Sequence, residues 1–200
     1  ARILNNGVRE ISTPNGWRSH SVYSFLNTIF SGKRAVNIAS GAEIVKAFWQ
    51  NPSFDSVYIP KKPVPKWEVK DGIVPKNWIL SGTTYKGITP KLEMAKDENG
   101  NSYARIGNFS TIFQKWTGPR GKFTVRFRAK GTGKLDVMSF EKQTKMLGVI
   151  NPDPEKWQTF ILKHEVPEEE KRLFFAFRAQ TDSYIDLDDV FVDVEMQNTR

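Results

Sequence analysis

The sequence predicts a mainly β protein, a two-sheet antiparallel jelly-roll sandwich with a small N-terminal helical segment. Three observations predict this fold. Short runs of alternating apolar and polar residues follow one another after residue 67, and Gly, Pro and Asn turns separate them. The 200 residues include six Trp, five Tyr and fourteen Phe, a proportion of rings that suits β-sheets. The chain is also long enough for one sandwich-sized domain with an appendage.

The alternating runs predict about nine strands. Residues 123–128 read Phe-Thr-Val-Arg-Phe-Arg, and residues 173–178 read Leu-Phe-Phe-Ala-Phe-Arg. This number of strands closes a two-sheet jelly roll. The predicted strands cover residues 92–94, 103–106, 111–116, 123–128, 134–140, 146–150, 158–164, 173–178 and 184–194.

The first 58 residues are predicted to form a helical extension. Apolar residues spaced three and four apart predict one helix over residues 19–30, and a capping box beginning at Ser40 predicts a second helix that ends before Asn51. Three prolines within residues 59–66 then predict an extended connector. The predicted division is a helical extension over residues 1–58, a Pro-rich linker over 59–66 and a β-sandwich domain over 67–200.

The net charge of +8 is unevenly distributed along the chain. Residues 1–66 hold nine Lys and Arg against three acids, a net charge of +6, whereas residues 67–200 hold 21 against 19, a net charge of +2. A basic protein suggests a polyanionic partner such as nucleic acid. Because the β domain is almost balanced, we do not expect that domain to bind nucleic acid.

Several residue patterns that enzymes need are missing from the sequence. The sequence contains no Cys and only two His, His20 and His164, which excludes thiolate chemistry and a His-rich metal site. No G-x-S-x-G elbow, phosphate-binding loop or H-E-x-x-H motif is present. No apolar run approaches the length of about eighteen residues that spans a membrane. We therefore predict neither catalysis nor a transmembrane segment.

Acidic residues cluster near the C-terminal end, at Asp186, Asp188 and Asp189. One interpretation is a solvated strand whose charges prevent association between sheets. The other is a Ca²⁺ site, because this cation binds several carboxylate and carbonyl oxygens at about 2.3–2.6 Å. One strand cannot surround an ion, so the second interpretation needs another contributor. Glu68 or Asp71 would supply it if the first and last strands pair.

The C-terminal part of the sequence resembles a known family. Residues 157–192, which begin Trp-Gln-Thr-Phe and end Ile-Asp-Leu-Asp-Asp-Val-Phe-Val, resemble the closing half of carbohydrate-binding modules of the family 4/9/22 type, within the galactose-binding-like jelly rolls. Asp71-Gly72 followed by Trp78 resembles the family's opening element, and residues 123–131 resemble its central strand. The resemblance covers residues 67–196.

That resemblance implies a noncatalytic sugar-binding module with a structural Ca²⁺ between its first and last strands. It places Glu68 or Asp71, together with Asp188 or Asp189, at the family's calcium position. Two residues separate Trp67-Glu68 from Asp71-Gly72 in this sequence, so the choice between the two acids stays open.

The sugar-binding side chains are predicted from strand alternation, because aromatic faces and a few polar groups bind oligosaccharides. Side chains opposite the Phe-rich strand faces are candidates for the concave sheet, and two aromatic residues are candidates for its rim. The concave-sheet candidates are Gln114, Trp116, Arg126, Arg128, Arg178 and Gln180, and the rim candidates are Trp78 and Tyr85. Core packing is the alternative for each Trp, and solvated strand charges are the alternative for the arginines. Three arginines on one face would also suit an anionic polysaccharide.

The leading hypothesis is a noncatalytic module that binds a polysaccharide or oligosaccharide and holds a parent enzyme or cell near it. We expect a secreted, periplasmic or cell-surface bacterial protein, and the start at Ala1 without a Met fits a mature or excised fragment of a larger polypeptide. The alternative is a structural or protein-interaction sandwich used in cell-surface assembly.

Overall fold

A computed structural model describes residues 2–3, 8–13, 16–21, 49–82 and 87–195 of the protein. Two antiparallel sheets dominate the described part and pack face to face over one apolar core. The predicted mainly β sandwich is confirmed. Each of the nine predicted strands is present, and shorter strands extend the two sheets.

The five-stranded sheet has the order β13-β12-β15-β10-β7, and the six-stranded sheet has the order β14-β11-β16-β9-β8-β5. Within these two sheets only β5 and β8 pair in parallel. The strands of the first sheet are Ile79–Ser81 (β7), Thr111–Lys115 (β10), Leu135–Phe140 (β12), Thr144–Ile150 (β13) and Phe174–Ala179 (β15). Those of the second are Glu68–Val69 (β5), Lys91–Lys96 (β8), Ser102–Gly107 (β9), Gly121–Thr132 (β11), Gln158–Val166 (β14) and Tyr184–Glu195 (β16).

The described N-terminal residues are strands rather than helices. Arg2–Ile3 (β1), Val8–Thr13 (β2) and Gly16–Ser21 (β3) form a three-stranded antiparallel sheet. The helix prediction is therefore wrong at residues 19–21, where backbone pairing with β2 takes the place of helical hydrogen bonds. Residues 22–48, which hold the rest of the first predicted helix and nearly all of the second, lie outside the described residues.

Residues 49–54 lie within the predicted extension but form a strap that packs against the sandwich. The indole of Trp49 donates to the carbonyl of Val190 at 2.8 Å, and the amide of Val190 donates to the carbonyl of Pro52 at 2.9 Å. Phe54 is fully buried and stacks on Trp78 with 4.9 Å between ring centroids. Trp49 and Phe54 are therefore part of the core. Replacing a buried aromatic side chain with Ala typically lowers the free energy of unfolding by about 3–5 kcal/mol.

A two-stranded ribbon of Val57–Tyr58 (β4) and Val74–Pro75 (β6) follows the strap. A 3₁₀ turn over Lys70–Gly72 leads from β5 toward β6. The boundaries predicted for the helical extension, at residue 58, and for the Pro-rich linker, at residue 66, remain predictions.

Candidate functional site

Three of the predicted sugar-binding side chains lie inside the protein, and the prediction is wrong for them. In β10, Ile112 and Gln114 point into the core. Trp116, just after the end of the strand, is on the same side of the chain and is also buried. The Trp116 ring packs against Phe123 at 5.2 Å between centroids, and its indole donates to the carbonyl of Pro119 at 2.8 Å. Trp78 is likewise buried, and its indole donates to the carbonyl of Asn51 at 3.0 Å.

Gln114 has a structural role in the core. Its side-chain amide donates to the carbonyl of Gln50 at 2.9 Å, and its side-chain oxygen accepts from the amide of Gln50 at 2.7 Å. This reciprocal pair ties the strap to the five-stranded sheet and satisfies a buried amide group that would otherwise be costly. Gln114 is therefore not available to a ligand.

The predicted arginines lie on opposite sides of the molecule. Arg126 and Arg128 project from β11 on the outer face of the six-stranded sheet, while Arg178 projects from β15 on the outer face of the five-stranded sheet. Alternation identifies which residues share a strand face, but it does not identify the sheet to which the strand belongs. Gln180 lies two residues after Arg178, just beyond the end of β15. Tyr85 lies outside the described residues.

The outer face of the six-stranded sheet is a network of paired charges. Arg105 Nε donates to Asp186 at 2.7 Å, and Arg128 Nη1 lies 3.3 Å from Asp189. The guanidinium of Arg128 also lies over the Trp157 ring, 5.0 Å from its centroid. Both predicted candidates on this face thus have intramolecular partners, and Arg126 lies over Phe191 at 4.7 Å.

The four predicted calcium ligands are not brought together. Glu68 lies on β5, where its carboxylate pairs with Lys91 at 3.0 Å, and Asp71 is exposed in the following 3₁₀ turn. Strands β8 and β9 separate β5 from β16, which carries Asp188 and Asp189, so three strand spacings, roughly 14 Å, lie between the two pairs. The expected pairing of the first and last strands is wrong because β5 pairs with β8.

The surroundings of Asp188 and Asp189 also differ from a calcium site. Asp189 accepts from the Ser53 hydroxyl at 3.1 Å through one oxygen and contacts Arg128 through the other. Burial raises the pKa of Asp188 to about 6, and the amide of Asp189 and the charge of Arg128 oppose that rise. Within the described ranges, no three acidic or His side chains converge closely enough to hold a metal ion. As one set, the predicted ligands do not fit Ca²⁺.

The outer face of the five-stranded sheet carries three rows of side chains that run across the strands. Cross-strand partners in a ladder point to the same face of a sheet, so the register defines the rows. The polar row contains Ser81, Thr111, Arg178 and Asp136; the apolar row contains Ile79, Phe113, Ala176, Met138 and Met146; the aromatic row contains Lys115, Phe174, Phe140 and Thr144. We call this surface the aromatic face.

Asp136 organises the polar row of the aromatic face. Its Oδ2 accepts from Nε and Nη2 of Arg178 at 2.9 and 2.5 Å, and its Oδ1 accepts from the side-chain amide of Gln180 at 2.7 Å. The Phe109 ring lies 5.0 Å from the guanidinium of Arg178. Arg178 is therefore held between a carboxylate and a ring, with Nη1 making no hydrogen bond to the residues that the structure describes.

The rings of the aromatic face form one cluster. Phe113 contacts Phe140 and Phe174 edge to face, with centroids 5.6 and 5.5 Å apart. In the apolar row the central residues Ala176 and Met138 are 0% and 2% exposed, whereas Ile79 and Met146 at the sheet edges are 46% and 51% exposed. Ala176 and Met138, at the centre of the row, are thus shielded from solvent, and the exposed apolar groups of the row lie toward the edges of the sheet.

Sequence reasoning missed Phe113, Phe140 and Phe174 because it looked for polar side chains and Trp or Tyr at the site and treated Phe as a core residue. A signal was present: Phe174 and Phe175 are adjacent, so one of these two rings must point away from the core. Of the side chains predicted for the concave sheet, Arg178 and Gln180 lie close together on this outer face, where both contact Asp136; their role in sugar binding stays a prediction.

A Ser-His-Glu cluster lies between the two sheets, but its geometry differs from that of a catalytic triad. His164 Nε2 lies 2.6 Å from Glu141 and 3.2 Å from the Ser139 hydroxyl, and that hydroxyl donates to the same Glu141 oxygen at 2.7 Å. A triad base contacts the nucleophile and the acid through different ring nitrogens. The contacts instead join β12 to β14 across the sandwich.

Several solved structures that resemble this chain are carbohydrate-binding modules. A family 4 carbohydrate-binding module matches with a TM-score of 0.52 at 19% sequence identity, over 73% of this chain and 99% of that chain. The CBM22-1–GH10 modules of a Clostridium thermocellum endo-1,4-β-D-xylanase, complexed with xylohexaose, match with a TM-score of 0.48 at 13% identity, over 59% of this chain and 26% of that one. A family 61 module in complex with β-1,4-galactotriose matches with a TM-score of 0.47 at 14% identity, over 74% and 98%.

No family model matches the sequence, and no curated protein matches it either. The structural likeness therefore establishes the fold: a jelly roll of the carbohydrate-binding-module type. Among the described residues, no helix has the length and apolar composition that crossing a membrane requires.

Proposed function

We propose that this protein is a noncatalytic module that binds a polysaccharide on its aromatic face. The observation that supports this proposal is a cluster of Phe rings bordered by fixed polar groups, on the outer face of a sandwich of the carbohydrate-binding-module type. The module would hold a parent enzyme or a cell surface near its glycan. We further propose a secreted, periplasmic or cell-surface location, because such polymers lie outside the cell.

The chemistry of the aromatic face suits a sugar chain. Pyranose rings present apolar C–H faces, which pack on aromatic rings such as Phe113 and Phe174, and hydroxyl edges, which need hydrogen-bond partners. Arg178 Nη1 can donate to a hydroxyl, and Thr111 can donate or accept. Because Asp136 already fixes the guanidinium, binding would cost little side-chain entropy on that residue.

Binding to a panel of neutral and acidic polysaccharides tests the proposal, measured by affinity electrophoresis and calorimetry. Phe113→Ala and Phe174→Ala should each weaken binding of a retained polysaccharide by about tenfold or more, because each removes a ring that packs on the sugar. Phe191→Ala is the matched control, since this ring lies on the outer face of the other sheet. Absence of binding to every polysaccharide, or equal losses in all three variants, would refute the proposal.

A protein-interaction sandwich is the second candidate. Ile79, Met146 and Val149 are exposed aliphatic side chains at the two edges of the five-stranded sheet, and exposed apolar groups can contact a protein. A protein ligand that binds this sheet and is not displaced by any polysaccharide would favour this candidate. Displacement by a polysaccharide would favour the glycan-binding function.

A further inference from the structure

The two sheets differ in charge, and the difference bears on the kind of ligand. Strands of the six-stranded sheet carry eight Lys and Arg and eight Asp and Glu. Strands of the five-stranded sheet carry Lys115, Lys145 and Arg178 against a single acid, Asp136. The strands of the five-stranded sheet therefore carry an excess of positive charge.

Two cations on the aromatic face border the ring of Phe174. Lys115 is the register partner of Phe174 on the neighbouring strand and is exposed. The guanidinium of Arg172 lies 5.3 Å from the Phe174 centroid. Neither side chain forms an ion pair with the part of the chain that the structure describes, since the nearby carboxylate of Glu170 instead accepts from the backbone amides of Arg172 and Lys142.

Arg178 supplies a third cationic group at the other end of the same strand. Its position is four residues from Phe174 on β15, a distance of about 13 Å along an extended strand. Asp136 occupies Nε and Nη2 of Arg178, and Nη1 remains for a ligand. The ring cluster of Phe113 and Phe174 lies between the two cationic ends.

We infer that the ligand of the aromatic face is an anionic polysaccharide, whose carboxylate or sulfate groups bind Lys115 and Arg172 at one end and Arg178 at the other. This inference rests on the proposed glycan-binding function. Guanidinium and ammonium N–H groups bind anionic oxygens by charge-assisted hydrogen bonds. The apolar C–H faces of the sugar rings between these two contacts would pack on the intervening Phe rings.

A matched pair of polymers tests the inference. Polygalacturonate and its fully methyl-esterified form share one backbone and differ in charge, and dextran sulfate compared with dextran provides the sulfate case. We expect one charged polymer to bind roughly tenfold more tightly than its neutral counterpart, and the preferred pair identifies the anionic group. The preference should decrease as added salt shortens the Debye length from about 30 Å to about 8 Å.

A double variant locates the effect. Lys115→Gln with Arg172→Gln should remove the preference, whereas Lys122→Gln with Lys163→Gln should keep it, because the latter pair is exposed on the outer face of the other sheet. Both double variants lower the net charge equally and alter exposed positions, and an unchanged melting temperature confirms that each is folded. Equal binding of charged and neutral polymers, or equal losses in both double variants, would overturn the inference and leave the proposed function standing. Failure to bind these polymers and every polysaccharide of the wider panel would refute the proposed function itself.

Discussion

The outer faces of the two sheets use their side chains differently. On the six-stranded sheet, cations and carboxylates pair with one another, as Arg105 does with Asp186. On the five-stranded sheet, one buried acid fixes Arg178, and rings occupy much of the remaining surface. The comparison teaches that on a strand face rich in charge many of the charged groups pair with one another, while a face with few charges can retain groups for a ligand.

The largest expected effect is a loss of stability on removing Asp136, the carboxylate that holds the polar row together. Asp136→Ala should lower the free energy of unfolding by about 3 kcal/mol, because it leaves Arg178 without its charge partner in a half-buried position. Urea unfolding measures this loss. Asp193→Ala on the other outer face is the control and should cost less than about 0.5 kcal/mol. Similar losses in both variants would show that the faces do not differ.

Acid should weaken the contact that joins the two sheets. Burial raises the pKa of Glu141, but hydrogen bonds from His164, Ser139 and Lys145 outweigh it and bring the pKa below its ordinary value. A lowered folded-state pKa contributes stability above the unfolded value of about 4.5, and that contribution is lost as the pH falls through the folded-state value.

The pH dependence can be assigned to this carboxyl with a single variant. Unfolding free energies of the wild-type protein and Glu141→Gln should converge as the pH falls through the folded-state pKa of Glu141. Parallel curves through that pKa would contradict the assignment.

Arg178 and Arg128, which the sequence predicts on one binding face, should have different roles. Arg178→Met should weaken polysaccharide binding by about tenfold, since it removes a group from the aromatic face. Arg128→Met should leave binding unchanged and lower the free energy of unfolding by no more than about 1 kcal/mol, because its ion pairs are partly exposed. Calorimetry with any retained polysaccharide compares them, and equal binding losses would contradict the assignment of the site to one face.

The smallest effect is expected from calcium. Because the predicted ligands do not form one site, we expect Ca²⁺ and EDTA to leave the melting temperature unchanged. An ion that binds only the folded state would raise it. A rise with Ca²⁺ that EDTA reverses would support the calcium prediction, with a ligand set other than Glu68, Asp71, Asp188 and Asp189.

The sequence predicts the strands well because alternation and turn residues are local signals, and each run from residues 92–94 to 184–194 becomes a strand. The site is predicted less well because it depends on which strands share a sheet. Trp116 and Gln114 alternate like surface residues, yet tertiary packing turns them inward. Phe113 and Phe174 are of a residue type usually found in the core, and the strand register places them together on an outer face.

The strap has a mechanical consequence. Its backbone is hydrogen-bonded to β16 of the six-stranded sheet, and its Gln50 backbone is hydrogen-bonded to Gln114 of the five-stranded sheet. A pull applied to the chain before residue 49 would therefore load both sheets at once rather than peel one strand from an edge. If the protein anchors a larger assembly to a polymer, as proposed above, we expect this sharing of load to slow its unfolding under tension.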